Sequence, residues 1–114
     1  MVVGEIYIPD RGDIVWLDFV PLAGHEQTGR RPALVLSPLV YNRRSGLAIV
    51  VPITGKAKEY PFEVEIPGDG QVRGVILSDQ IHNFDLRARQ AQYITRIDDE
   101  TLDEVLERAI TLFK

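Results

Sequence analysis

The feature that most limits the fold is the short length of the apolar segments, which alternate with turn residues through most of the chain. Runs of about four to eight residues rich in β-branched and aromatic side chains predict strands rather than helices. Turn signals recur every 8–12 residues or so, which favours a small antiparallel barrel over βαβ units. The sequence predicts strands over 13–19, 33–37, 47–54, 62–66 and 74–77, with a further strand within 89–97.

The segments between these strands are rich in Pro, Gly and Asn, which favour turns and loops. We expect a loop over 21–29, an irregular connection over 38–46 and a single helical turn over 83–86. Pro52 lies inside a predicted strand. Because proline cannot donate a backbone hydrogen bond, it indicates a sheet edge or a bulge near the end of that strand.

Residues 98–114 change to the periodicity of a helix. Their apolar side chains recur at i, i+3, i+4, i+7, i+8 and i+11, which is typical of one face of an α-helix. These side chains are Leu102, Val105, Leu106, Ala109, Ile110 and Phe113. Asp98 or Asp99 is expected to cap the helix, and the acids of the first turn suit the positive end of its dipole.

Composition predicts a single domain spanning 1–114. The chain is 45% hydrophobic and 26% charged and contains no cysteine, so disulfides, thiolate metal sites and a cysteine nucleophile are excluded. With no cysteine, no apolar run of about 18 residues and no signal-peptide pattern, we expect a cytoplasmic protein without a membrane span.

Charge is unevenly distributed along this acidic chain. The net charge is −4, which taken alone argues against nucleic-acid binding. Residues 30–58 nevertheless contain six bases and no acid: Arg30, Arg31, Arg43, Arg44, Lys56 and Lys58. A local basic surface of this kind can hold phosphates.

The most polar cluster is GHEQTGRRP (24–32), directly before a short apolar strand. A solvated loop would explain it. However, the stretches GDIVWLDFVPLAGHEQTGRRPALVLSPLVYN, VVPITGKAKEYPFEV and GVILSDQI resemble the MazF/PemK/Kid family of toxin–antitoxin endoribonucleases. The resemblance runs nearly end to end, and the set G-x-EQ-x-G-x-RP followed by P-x-T is more specific than either piece.

This resemblance implies both a fold and an activity. The fold is an SH3-like small barrel of the CcdB/PemK type, mainly β, with a C-terminal α-helix and assembly as a homodimer. The activity is cleavage of single-stranded RNA at short motifs without metal or cofactor, leaving 2′,3′-cyclic phosphate and 5′-hydroxyl ends. The implied partner is a cognate MazE-like antitoxin whose acidic, partly disordered segment blocks the RNA site.

The resemblance also assigns catalytic residues. Arg31, which precedes Pro32, matches the family's catalytic arginine and would stabilise the extra charge on phosphorus. Thr54 ends the P-x-T motif and would donate to a phosphate oxygen. Outside the resemblance, Arg31 would be an ordinary surface cation and Thr54 an ordinary strand residue.

The group that accepts the 2′-hydroxyl proton is left open between His25 and Glu26. Imidazole titrates near neutrality, and burial can raise the pKa of a carboxyl group. Some family members with GHEQ use this histidine together with an Arg and an Asp from V-x-R-x-D-Q. Here Asp79 is kept, but Leu77 occupies the position of that arginine.

Further polar residues are candidates for RNA binding. Gln27, Asp79 and Gln80 are expected to position the loop or contact base edges, whereas the bases Arg30, Arg43, Lys56 and Lys58 are expected to contact backbone phosphates. Each of these bases has a plainer alternative as a solvated charge. Loops 21–29 and 56–61 are expected to set the cleavage motif, and His82 is expected to be structural or exposed.

Two other functions are compatible with such a small barrel. One is a non-enzymatic, CcdB-like toxin that traps DNA gyrase. The other is a generic SH3-like interaction module, which would require an aromatic ligand groove. The paired G-x-EQ-x-G-x-RP and P-x-T motifs favour the ribonuclease, and the aromatic residues are spread along the chain.

Overall fold

The computed structural model describes residues 7–19, 29–68 and 70–114. Within them the chain forms the following elements in order: β1 Asp13–Asp18, β2 Arg30–Val35, α1 Leu39–Ser45, β3 Leu47–Thr54, β4 Glu63–Glu65, β5 Val75–Leu77, β6 His82–Asp85, β7 Gln92–Arg96 and α2 Asp99–Ile110. The mainly β architecture with a C-terminal helix is confirmed. Most of the predicted loop 21–29 lies outside the described residues.

The strands form one antiparallel sheet whose order is β4-β5-β3-β2-β1-β7, with β6 also paired to β3. This arrangement is compatible with a small barrel. β3 is central, not an edge: Pro52 pairs with Ala33 of β2. On its other side β3 pairs with β6 up to Val50 and with β5 from Ile53. Pro52 therefore lies between the part of β3 that pairs with β6 and the part that pairs with β5. The lack of a backbone N–H donor costs least at such a position.

Alternation along the central strands divides the core into two clusters. Leu34 and Val51 belong to one cluster, and Val35 and Val50 belong to the other. This follows from the two-residue period of a strand, which sends successive side chains to opposite faces. The first cluster also includes Val105 of α2, so the helix covers that side of the sheet.

The helix α2 begins as expected but is shorter than the apolar pattern. Asp98 is the N-cap, and its carboxylate accepts a hydrogen bond from Thr101 N at 2.9 Å. The helix ends at Ile110, which is 52% exposed, and Phe113 lies beyond it at 72% exposed. The predicted apolar face is therefore buried only in its first part. No helix in the described part of the chain is long and apolar enough to cross a membrane.

Two local predictions are wrong. Residues 38–46 form the short helix α1 and its caps. The helix ends at Gly46, whose left-handed φ of 75° lets its N–H bond Asn42 O at 2.9 Å. Residues 83–86 lie largely in strand β6, which pairs with Leu47–Val50 of β3. Pairing with a distant strand outweighed the local preference for a turn.

Candidate active site

The pairing of β2 with β3 puts two of the predicted catalytic residues on neighbouring strands. Ala33 is paired with Pro52 in this antiparallel ladder. Both strands continue in the same direction for at least two more residues, to Arg31 and Thr54. Continued for two residues beyond this last pair of the ladder, the register would set Arg31 opposite Thr54 on one face of the sheet.

Arg31 and Thr54 both lie on strands that are paired within the sheet, but they differ in exposure. Arg31 is exposed, and on its other side it pairs with Leu17 of β1, which is fully buried. Thr54 is half-buried and is the last residue of β3. A guanidinium keeps its charge at neutral pH and offers several donors in a planar fork that fits phosphate oxygens. A cation and a hydroxyl thus lie near the ends of two neighbouring strands.

A cleft of about 610 Å³ opens beside Thr54. Five of the residues predicted to bind or cleave RNA line it: Thr54, Lys56, Lys58, Asp79 and Gln80. Two of them follow β3 and two follow β5, and these strands are paired so that Thr54 lies opposite Val75. The cleft lining thus combines two cations with an amide and three carboxylates, those of Asp79, Glu59 and Glu63. Its lysines suit a backbone phosphate, and Asp79 and Gln80 suit a base edge.

Tyr60 and Asp79 interact across this cleft. Hydrogen bonding to the Asp79 carboxylate, together with the charge of that group, raises the pKa of the Tyr60 hydroxyl above its usual value. Tyr60 is therefore a neutral phenol at physiological pH and is 49% exposed. An exposed aromatic ring beside cations can stack on a base.

Arg30 has a different environment from Arg31, its neighbour in the sequence. Its guanidinium donates to Asp18 Oδ1 at 2.9 Å, to the Gln90 carbonyl at 2.8 Å and to Gln92 Oε1 at 3.2 Å. Alternation along β2 directs it to the opposite face of the sheet. These contacts join β2 to β1 and to the β7 region and give Arg30 a structural role. Its contact with a backbone phosphate stays a prediction.

Arg43 is separated from the cleft. It lies in α1, which ends just before Leu47, the first residue of β3. Thr54 is the last residue of the same strand, about 23 Å from Leu47 at a rise of about 3.3 Å per residue. Arg43 does not line the cleft with Lys56 and Lys58, and its contact with a backbone phosphate stays a prediction.

The candidate proton acceptors His25 and Glu26, as well as Gln27, lie outside the described residues. The segment that carries them leaves and rejoins the sheet beside Arg31, because Phe19 N donates to Gly29 O at 2.7 Å. Their roles stay predictions. Within the described residues, no group of three or more His, Asp or Glu side chains is arranged to hold a metal ion.

His82 is half-buried rather than part of the cleft lining. Its ring stacks on Phe84, with centroids 4.7 Å apart, and meets Phe19 edge-on at 5.6 Å. Burial, followed by the positive charge of Arg89, lowers the pKa of His82. It is therefore largely neutral at physiological pH.

Five residues that line the cleft were not among the predicted site residues: Glu59, Tyr60, Pro61, Glu63 and Leu77. The first three belong to the loop 56–61, which was expected to set the cleavage motif. Glu63 was not singled out, and Leu77 was noted only as a departure from a motif. The only signal was their nearness in sequence to Thr54 and Asp79, which does not show where a side chain lies.

Comparisons with known proteins show the family. Residues 10–113 match the family described as PemK-like, MazF-like toxin of type II toxin–antitoxin system. The chain is 49% identical to the endoribonuclease toxin MazF of Escherichia coli K12 over 85 residues, covering 75% of this chain and 76% of that protein.

Solved structures give the same result for the fold. The crystal structure of MazF from Deinococcus radiodurans superposes with a TM-score of 0.86 at 47% identity, covering 95% of this chain and 98% of the other. A MazE–MazF complex from the same organism gives a TM-score of 0.89 at 47% identity, covering 95% and 97%. None of these three relatives is named as a gyrase-binding toxin.

Proposed function

The chain belongs to the PemK-like, MazF-like toxins of type II toxin–antitoxin systems, and from this premise we propose that it is a sequence-specific endoribonuclease. Its substrate is single-stranded RNA, and the reaction requires no metal or cofactor. The observation that carries this proposal is the cleft that Thr54 shares with Lys56 and Lys58, at the end of the strand that pairs with the Arg31 strand β2.

In the proposed reaction the RNA supplies its own nucleophile. The ribose 2′-oxygen forms a bond to the adjacent phosphorus while its proton passes to a base on the protein. The bond from phosphorus to the 5′-oxygen breaks, and that oxygen takes up a proton. The products are a 2′,3′-cyclic phosphate and a 5′-hydroxyl end. His25 and Glu26 remain the alternative candidates for the proton acceptor.

Arg31 and Thr54 stabilise the transition state in this mechanism. The phosphorus becomes five-coordinate and gains negative charge on its non-bridging oxygens, which the Arg31 guanidinium stabilises through charge-assisted hydrogen bonds. The Thr54 hydroxyl donates to a phosphate oxygen and keeps the attacking and leaving oxygens in line. Neither group must move, because both belong to paired strands.

The rest of the cleft binds the RNA on either side of the reacting phosphate. Lys56 and Lys58 contact backbone phosphates, and Asp79 and Gln80 contact base edges. Tyr60 offers its exposed ring to a base. These roles are supported by the shared cleft and by its mixture of cations, amide and carboxylate.

The proposed partners follow the family. We propose a homodimer in the cytoplasm and inhibition by a cognate MazE-like antitoxin with an acidic segment. The basic residues of the cleft, Lys56 and Lys58, provide complementary charge for such a segment. An antitoxin bound there would exclude RNA by occupying the same cations.

The proposal is tested by incubating a long single-stranded RNA with the purified, antitoxin-free protein in EDTA and analysing the product ends. We expect discrete cuts with cyclic phosphate ends. The Arg31→Ala variant should cleave about 10²–10³-fold more slowly, the effect of removing one transition-state donor. The matched control is Arg87→Ala, which removes an exposed arginine that does not line the cleft and should leave the rate unchanged. Intact RNA with folded wild-type protein, or equal losses in the two variants, would contradict the proposal.

A further inference from the structure

The Glu63 carboxylate accepts backbone hydrogen bonds that a solvated side chain on a strand would not make. Glu63 begins β4, is half-buried and lines the cleft beside Thr54. Its carboxylate accepts a hydrogen bond from Lys58 N at 3.1 and 3.0 Å to its two oxygens, and another from Glu59 N at 3.0 Å. One side chain thus binds two successive backbone amides of the preceding loop.

The loop that Glu63 holds has an unusual backbone. Glu59 has a φ of 57°, a left-handed conformation that a residue with a side chain seldom adopts. Such a conformation costs about 1–3 kcal/mol and persists only where the surroundings impose it. The Glu63 carboxylate imposes it here, because its bonds to Lys58 N and Glu59 N require both amides to point at one acceptor.

Three further contacts attach the ends of the same loop. Thr54 Oγ1 accepts from Lys56 N at 3.3 Å, and Glu63 N donates to Tyr60 O at 2.9 Å. The Arg108 guanidinium of α2 donates to Pro61 O. The ends are therefore fixed by β3, β4 and the helix, whereas the turn at 58–59 is held by the Glu63 carboxylate.

We propose that Glu63 is the positioning residue that sets RNA selectivity, by fixing the loop 55–61 over the cleft. This inference rests on the proposed function. Glu63 need not touch RNA: it acts through the loop, whose Lys58 and Tyr60 side chains line the cleft with Asp79 and Gln80. Releasing the two amides would let these side chains leave the positions in which they select a base, while Arg31 and Thr54 stay on the paired strands.

Glu65 is a matched control on the same strand. It is two residues along β4, on the same side by strand alternation, and exposed. In the described part of the chain its carboxylate accepts no hydrogen bond from the loop. Glu65→Ala therefore removes the same charge and the same side-chain length without releasing the loop. A general electrostatic effect on RNA would appear in both variants, and a positioning effect only in Glu63→Ala.

Two measurements on Glu63→Ala, Glu63→Gln, Glu65→Ala and the wild type test the proposal. In Glu63→Ala we expect the amides of Lys58 and Glu59 to exchange with deuterium at least about tenfold faster, the effect of losing one charge-assisted hydrogen bond. Glu63→Gln keeps one acceptor oxygen and should be intermediate. It also serves as the informative variant if Glu63→Ala does not fold. Glu65→Ala should match the wild type.

The second measurement is cleavage kinetics on an oligonucleotide with the preferred motif and on single-base variants of it. For Glu63→Ala we expect KM for the preferred motif to rise about tenfold with kcat within a factor of about three, since positioning of the RNA is lost rather than transition-state stabilisation. Discrimination against the single-base variants should fall by a similar factor.

The outcomes distinguish the contact between Glu63 and the loop from the role of Glu63 in RNA selectivity. Unchanged exchange at Lys58 and Glu59 in Glu63→Ala would overturn the loop contact itself. Faster exchange with unchanged motif preference would overturn the role in selectivity, as would equal kinetic changes in Glu65→Ala. If the wild type does not cleave RNA, the proposed function fails and the selectivity role fails with it, while the exchange result still decides the loop contact.

Discussion

Replacing Asn42 tests the energetics of the fold most sharply, because this fully buried amide joins three segments of the chain. Its Nδ2 donates to Pro9 O at 2.9 Å and to Ser37 O at 3.0 Å, and its Oδ1 accepts from Ser37 Oγ at 2.6 Å. Ser37 Oγ in turn accepts from Ile49 N of β3 at 2.8 Å. The Asn42 side chain thus fastens α1 to the N-terminal segment and to the sheet.

The expected cost of Asn42→Ala follows from these bonds. Three hydrogen bonds are lost at about 1 kcal/mol each, and two buried carbonyl groups are left without a partner. The free energy of unfolding should fall by about 3 kcal/mol, which for a domain of this size lowers Tm by roughly 12 °C. Asn42→Asp should be at least as damaging, because it keeps the volume but replaces both N–H donors with an acceptor that faces two carbonyls.

The assay is urea unfolding followed by far-UV circular dichroism at a fixed protein concentration, since subunit association would add to apparent stability. The control is Asn83→Ala, which removes an exposed amide that donates to the Tyr41 hydroxyl at 3.0 Å and should cost under about 0.5 kcal/mol. A loss below about 1 kcal/mol in Asn42→Ala would refute the assigned network.

Two further changes have defined expectations. Gly74→Ala should destabilise the fold by about 2 kcal/mol or more and slow RNA cleavage, because φ is 120° there and the new Cβ would overlap the Thr54 carbonyl oxygen and lie 2.9 Å from its carbon. The matched Gly68→Ala change, at φ 79° with open space around it, should leave cleavage intact, and equal cleavage losses would contradict the role of close approach. Asp98→Ala should cost about 1 kcal/mol at pH 7 by removing the cap of α2. Hydrogen bonds from Thr101 lower the pKa of Asp98 below its ordinary value of 3.8. The contribution of this cap to the free energy of unfolding is therefore complete above pH 3.8 and is lost as the pH falls through the pKa of the folded state. The free energies of unfolding of the wild type and of Asp98→Ala should therefore converge in acid. A constant difference between them down to pH 2 would exclude the charged cap as the cause.

Local sequence signals were sufficient where an element is long or strongly patterned. The β-branched run over Leu47–Thr54 predicts the bounds of β3, and the acids and apolar period after Asp98 predict the start of α2. The short elements α1 and β6 were not predicted. The first depends on the buried amide of Asn42, and the second on pairing with a strand more than thirty residues earlier.

The candidate site divides in a similar way. Motifs singled out Arg31 and Thr54, but only the pairing of β2 with β3 shows that their strands are neighbours in the sheet. Arg30 could not be distinguished from Arg31 by sequence, since its partners Gln90 and Gln92 lie sixty residues away. The loop contact of Glu63 was equally hidden, because a glutamate on an alternating strand has the pattern of a solvated side chain.

The proposed cleavage of RNA through the substrate's own 2′-hydroxyl is tested directly by one substitution in the substrate. Once a preferred motif is mapped, cleavage is compared for the all-RNA oligonucleotide and for one with a single 2′-deoxy nucleotide on the 5′ side of the cut. A second oligonucleotide with the deoxy sugar on the 3′ side of the cut serves as control. The account predicts no cleavage at the modified bond and normal cleavage in the control. Cutting at the modified bond would mean that water or a protein group is the nucleophile, and would contradict the mechanism assigned to Arg31 and Thr54.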